Sequence, residues 1–290
     1  MIGSSKKLKG LMGISLLCLT LSACSMVGFS YKHIDWWLMW KIDDALNLTS
    51  EQKDLLKPQL QTLLNWHCSA ELPNTISWLE QTQQLLEQPA PSSEAISLQL
   101  NQVDSAFKRI ARKITPTATE LLSSLSDRQV ADLYESLEEQ NEQDQQEFIE
   151  PPLATQISER SARMQERLEP WFGTLSPQQE RRIDAWSASL GPQNRIWLDN
   201  RAAWQNALHS ALKTRRTDAF AARLRPLLES REEFYTADYK QGYSRAQAAL
   251  ATLLSDLISQ ASEEQHTAIS KRLSKFQDQL RQQVCIPAAP

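Results

Sequence analysis

The sequence predicts an all-α protein, a multi-helix bundle of about eight to ten helices behind a cleaved leader. Three features carry that expectation. Beyond Gly28 only Gly173, Gly191 and Gly242 remain, too few for a turn-rich β architecture. The chain is rich in Leu, Ala, Gln, Glu and Arg, all strong helix formers. Apolar residues recur at helical spacing in segment after segment, and no stretch reads convincingly as a strand.

The leader comes first. Lys6, Lys7 and Lys9 precede an apolar run from Leu11 to Leu21, and Leu21-Ser22-Ala23-Cys24 closes it. A basic start, a run of about 11 apolar residues and small residues before a cut are the layout of a secretory signal. A spanning helix wants ~20 apolar residues. An uncleaved anchor continuing through Met26, Val27 and Phe29 would leave the small residues and the cysteine as coincidences. Residues 1–23 resemble a bacterial lipoprotein signal peptide. The resemblance implies diacylglycerol on the Cys24 thiol, cleavage before it and acylation of the new amino group. One chain anchors only marginally, whereas three hold firmly. Ser25 stands where Asp would retain an enteric-type lipoprotein in the inner membrane. Its presence implies the outer membrane, facing the periplasm. Residues 24–30 are then a lipidated tether.

Losing residues 1–23 removes three lysines and no acidic residue from a chain at −4, leaving −7. An acidic surface suits solubility and argues against a nucleic-acid partner, which needs a basic face. Cys68 and Cys285 survive processing; Cys18 does not. The periplasm permits a disulfide, but the pair bonds only if its Cα atoms lie within about 7 Å. Bonded and unpaired states both stay open.

Tyr31 to Asp44 is unusually aromatic, and Trp36, Trp37 and Trp40 share one helical face. Tryptophans so close to a lipid anchor suit the membrane interface. Large aromatics also dominate cores, and core packing is the favoured expectation. Thr49 then caps a helix, with Gln52 completing a capping box. Leu55, Leu56, Leu60, Leu63 and Leu64 give its stripe, and Pro58 is expected to kink it or mark its first turn. The same start signal recurs at Leu125-Ser126…Gln129, Leu175-Ser176…Gln179 and Ala261-Ser262…Gln265. The intervals of 77, 50 and 86 residues fit no fixed-period solenoid. Independent use of one good cap is preferred over a loose duplication.

Further helices are expected over 74–87, then over 94–114 with an end before Pro116, and over 127–149. The second half of the last, Glu138 to Glu147, is almost wholly polar and is expected to be solvated or to bridge parts of the molecule. Helices at 153–168, 177–189, 193–213, 217–229, 232–260 and from Ser262 onward complete the chain. Pro151-Pro152 is the best boundary, dividing the mature chain into helical subdomains 31–150 and 151–290 that could share one continuous domain.

Little reactive chemistry is expected. His33, His67, His209 and His266 show no helical metal spacing, no phosphate-binding glycine loop exists, and neither a metal nor a cofactor is expected. Asp35 and Asp43 fall near one helical face and would be the acid–base pair of an envelope-polymer hydrolase; capping or solvation of the helix end explains Asp43 and Asp44 as well. Arg181-Arg182 and Lys213, Arg215, Arg216 would touch lipid headgroups or acidic polymers, or simply solvate helix ends. Tyr235, Tyr239 and Tyr243 form a ridge, either a half-buried contact or an aromatic binding strip.

The run Tyr31…Asp35-Trp36…Trp40…Asp43-Asp44…Leu48-Thr49-Ser50-Glu51-Gln52…Leu55-Leu56-Lys57-Pro58…Trp66-His67 resembles the start of an uncharacterised family of proteobacterial lipoproteins, known only as a domain of unknown function. The resemblance implies an outer-membrane-anchored helical protein and brings no catalytic residues with it. The Leu-Thr-x-x-Gln of residues 48–52 is also similar to a short motif of Spy-type periplasmic stress proteins. The expected function is therefore non-enzymatic, a membrane-anchored periplasmic lipoprotein that binds an envelope protein or cell-wall polymer. A periplasmic chaperone or stress sensor is the alternative.

Overall fold

A computed structural model describes residues 34–283 and Cys285. The expected leader (1–23), Cys24 and the expected tether (24–30) lie outside these residues. The described chain is helical throughout its ordered elements: α1 (Ile34–Leu46), α2 (Ser50–Trp66), a π-helical segment (His67–Glu71), α3 (Leu72–Leu86), α4 (Ser93–Ser124), α5 (Asp127–Phe148), α6 (Leu153–Phe172), α7 (Pro177–Ser189), α8 (Gln193–Leu212), α9 (Ala219–Glu229), a 3-10 turn (Arg231–Phe234), α10 (Ala237–Ser259) and α11 (Glu263–Arg281). Because the π segment fuses α2 to α3, these make ten rods among the described residues.

Two apolar cores hold the rods together. The first gathers Leu48, Leu56, Leu60, Leu125, Val130, Leu212, Phe220, Leu224 and Leu227. The second gathers Leu72, Leu79, Met164, Leu168, Phe172, Ile183, Trp186, Leu253, Leu257, Ile269, Leu273 and Leu280. Each core draws on both sides of Pro151, so that boundary does not separate one core from the other. Two long rods run across both cores: the fused α2–α3 rod, and α4, which touches α2 and α9 in one and α3 and α10 in the other. At 32 residues, α4 is about 48 Å long.

The four start signals explain how the cores are organised. Each is a complete capping box, at Thr49–Gln52, Ser126–Gln129, Ser176–Gln179 and Ser262–Gln265. The boxes meet in pairs. Gln129 Nε2 donates to Gln52 Oε1 at 2.8 Å, and Gln52 Nε2 reaches back to Gln129 Oε1 at 3.4 Å. Gln179 Nε2 donates to Gln265 Oε1 at 3.0 Å, and Gln265 Nε2 donates back to Gln179 Oε1 at 3.1 Å. The spare amide hydrogens go to the end of the helix that precedes the partner's box. Gln52 donates to Ser124 O, Gln129 to Leu46 O and Asn47 O, Gln265 to Thr174 O and Gln179 to Leu257 O. One amide pair thus satisfies two helix N-termini and two helix C-termini, groups that otherwise lack intrahelical partners. The residue before each cap faces a core: Leu48 and Leu125 are buried in the first, and Leu175 and Ala261 pack on the second.

Several expected helix ends are corrected. Pro116 does not stop its helix, and α4 continues to Ser124; α6 runs past its expected end at residue 168 to Phe172, with Pro170 inside it. Pro58 lies in the middle of α2, which starts at Ser50, so it does not mark the first turn. Pro58 and Pro116 both line one open groove of about 410 Å³ between α2 and α4. A proline strips a donor from the carbonyl four residues earlier, and an open groove lets solvent replace it. The end of α6 falls instead at Gly173, whose φ of 69° is the left-handed conformation glycine adopts without penalty.

The polar half of α5 is not simply solvated. Asp144 and Arg201 of α8 form an ion pair with side-chain exposures of 5% and 12%. Asn141 accepts from Arg201 at 2.7 Å and donates to Gln205 at 2.6 Å. This strip is a buried polar seam between α5 and α8.

Two stability outcomes follow. Gln179→Leu strands buried carbonyl and amide groups and is expected to cost about 1–3 kcal/mol. With Gln265→Leu added, the double variant should lose less than the sum of the singles by about 1 kcal/mol, read as a coupling energy from urea unfolding. Arg201→Ala leaves Asp144 as an unpaired buried charge and should cost about 3–5 kcal/mol in the same assay.

Candidate functional site

The residues that the sequence nominates for function fall in four places. At the amino end, α1 docks on the first core through Met39, Ile42 and Leu46. Its C-terminal end is then locked. Asn47 turns the chain with φ of 48°, a left-handed conformation that Asn tolerates, and the Gln129 amide holds the Leu46 and Asn47 carbonyls. Asp43 Oδ1 accepts from Leu48 N at 3.0 Å, while Oδ2 pairs with Lys53 Nζ at 2.8 Å. Lys53 holds the Asp43 carboxyl below its usual range, against the opposing effect of burial, and the Leu48 N–H adds to the shift.

The tryptophans are not core residues, which corrects the favoured expectation. Trp36, Trp37 and Trp40 are 67%, 39% and 43% exposed. Docking a helix at the edge of a core takes one stripe, and Met39, Ile42 and Leu46 supply it. The tryptophans occupy the other side, in the first two turns. Lys41 Nζ sits 4.7 Å from the Trp40 ring centroid, a cation–π distance. Among the described residues, the other large apolar side chains that stand exposed, Leu55, Leu98 and Leu153, are on three different helices.

The structure does not assemble the carboxylate pair. Asp35 and Asp43 are eight residues apart on one helix, about 12 Å along its axis. Asp35 accepts from Trp36 N at 2.7 Å, and both oxygens of Asp43 are engaged in closing the α1–α2 turn. A general acid needs a raised pKa, and Asp43 has the opposite shift.

Cys68, in the π segment, is bonded to Cys285, 217 positions further along the chain, with Cα atoms 5.6 Å apart. The bond fastens the carboxyl end of the chain to the junction of α2 and α3. One turn on, Glu71 is 3% exposed and receives two hydrogen bonds from Arg109 of α4, at 2.8 and 2.9 Å. His67 lies beside them; burial lowers its pKa, opposed by the Glu71 charge. Among the described residues no group of His, Cys, Asp and Glu is placed to hold a metal ion.

The basic and tyrosine clusters are largely structural. Arg215 is 7% exposed; it donates to the Leu125 and Leu212 carbonyls and pairs with Asp127. It therefore braces the start of α5. Arg182 pairs with Asp256 of α10. Tyr235, Tyr239 and Tyr243 pack on one another with ring centroids 4.7–5.7 Å apart. Burial pushes the Tyr239 and Tyr243 phenols up to about 12, which marks a half-buried contact.

The outward-facing aromatic feature is the tryptophan side of α1, held at a fixed angle by Asp43, Lys53 and Gln129. No described helix is long and apolar enough to cross a membrane. The chain belongs to DUF6279, a family of unknown function, which it matches over residues 44–240. No curated protein and no solved structure matches it.

Asp43 makes the α1–α2 turn sensitive to acid. A carboxyl whose folded pKa is lowered stabilises fully above its unfolded value of about 3.9, and the contribution is lost as pH falls through the lower folded value. Protection of the α1 amides, taken relative to the intrinsic exchange rate at each pH, is expected to fall on acidification through that window. In Asp43→Asn, α1 should exchange faster at neutral pH already and show no acid step.

Proposed function

We propose that this is a non-enzymatic lipoprotein of the proteobacterial envelope. In this reading Cys24 becomes a triacylated amino terminus. The helical body stands in the periplasm, most simply on the outer membrane, and binds an envelope protein or a cell-wall polymer. The observation that carries the reading is the Cys68–Cys285 bond. Disulfides persist in oxidising compartments such as the periplasm and are rare in the cytosol, and the export signal ending at Cys24 leads to such a compartment. Further support comes from how the ionisable groups are used. Asp43, Glu71, Asp144, Arg201 and Arg215 all serve to join helices, which suits a rigid scaffold.

The anchor is tested by growing cells with a clickable fatty-acid analogue. Wild type should label and partition with membranes, and Cys24→Ser should do neither. Recovery of unlabelled protein still bearing Met1 from soluble cytosol would overturn the reading. The compartment has a separate test. Thiol alkylation of the protein as isolated should leave Cys68 and Cys285 unmodified, and their reduction should lower unfolding stability by about 2–4 kcal/mol.

A further inference from the structure

The exposed tryptophans have a placement that the lipid anchor alone does not explain. Three large aromatic side chains stand in water at the first two turns of α1, while the opposite side of the same helix is packed. The chain outside the described residues meets the body at Ile34, the first residue of α1. From Cys24 to Ile34 is ten residues, at most about 36 Å when fully extended. Of all described elements, α1 is therefore the one held nearest to any lipid on Cys24.

We infer that Trp36, Trp37 and Trp40 are a second membrane contact, seated in the headgroup layer of the bilayer that carries the Cys24 lipid. The inference rests on the lipoprotein reading. Its chemistry is that of the indole ring, an apolar body with one N–H, which favours the layer where hydrocarbon gives way to water. Lys41 lies over Trp40. Its long stem can follow the ring while the ammonium reaches lipid phosphate.

The helix does not lie flat. Asp44 is one turn beyond Trp40 on the same side and is exposed, so the apolar side ends there. The geometry seats the amino end of α1 in the interface and lifts its carboxyl end out, toward the turn closed by Asp43 and Lys53. The contact can be weak and still be occupied. A tether this short keeps α1 at an effective concentration of about a millimolar relative to the bilayer. The mature chain carries a net charge of −7, so attraction to anionic lipid is not what drives the contact, and a zwitterionic bilayer should suffice.

The test uses the full-length processed protein, with its acylation read first by intact mass. It is reconstituted into phosphatidylcholine vesicles with or without brominated acyl chains, which quench indole fluorescence on contact. Wild type should lose up to about a third of its emission, since three of nine tryptophans are involved. The triple variant Trp36→Gln, Trp37→Gln, Trp40→Gln should lose almost none, with an unchanged far-ultraviolet spectrum because these side chains are exposed. Equal quenching of wild type and variant, in protein whose mass shows the acyl chains, would overturn the contact and leave the anchor standing. A mass without acyl chains would overturn the anchor, and the contact with it. Sedimentation as a dimer that dissociates in the triple variant, without quenching by bromolipid, would assign the face to a second copy and overturn the proposal. The single variants Trp36→Gln and Trp40→Gln, each expected to lose part of the quenching, carry the test should the triple variant fail to fold.

Discussion

The reciprocal glutamine pair is the constraint on which the rest of this structure depends. A helix bundle concentrates unsatisfied backbone groups at its helix ends, and an end that meets a core cannot leave them to water. Here four ends meet at each of two junctions. The Gln Oε1 closes its own capping box and accepts from its partner, and the Nε2 hydrogens go to the partner and to a departing helix. No other side chain of this length serves both halves. Glutamate would close the box, but it has no hydrogens to give when ionised. At Gln179, which is fully buried, it would place a charge against acceptor oxygens.

From these junctions the two cores grow. The first draws its buried side chains from α2, α5, α8 and α9, the second from α3, α6, α7, α10 and α11, mostly leucine with a few aromatic side chains. The fused α2–α3 rod and α4 then tie one core to the other. The polar seam of Asp144, Arg201 and Asn141 fixes how α5 lies on α8, and such seams confer register as much as stability. The bond from Cys68 to Cys285 fastens the far end of the chain to the α2–α3 rod. A break at Pro151-Pro152 interrupts the helix without interrupting either core, because the chain crosses between cores several times.

The sequence made visible whatever is local. A capping box spans four residues, so all four were legible. Their pairing was not, because partners lie 77 and 86 residues apart and nothing in the spacing says that the first box meets the second and the third meets the fourth. Helix interiors were legible from their stripes. Proline misled as a stop at residue 116 and as a first turn at residue 58, where tertiary packing outweighs the loss of one hydrogen bond. Arg215 read as a solvated helix end because its acceptors, the Leu125 carbonyl and Asp127, lie some ninety residues upstream. The tryptophans misled for a different reason. Aromatic size argues for burial only where a helix is surrounded, and α1 lies at an edge.

That edge position gives the glutamine junction its functional reach. Gln129 closes the start of α5 and, through the Leu46 and Asn47 carbonyls, fixes the end of α1. The direction in which the tryptophans point is therefore set by the same amide that organises the first core. A body tethered by lipid alone is free to rotate about its tether. The proposed indole contact, on a helix that cannot swivel, would remove that freedom and present one side of the bundle away from the bilayer. Orientation gained in advance lowers the entropy lost when a partner in the envelope binds, and a rigid helical body can make use of that gain where a flexible one cannot.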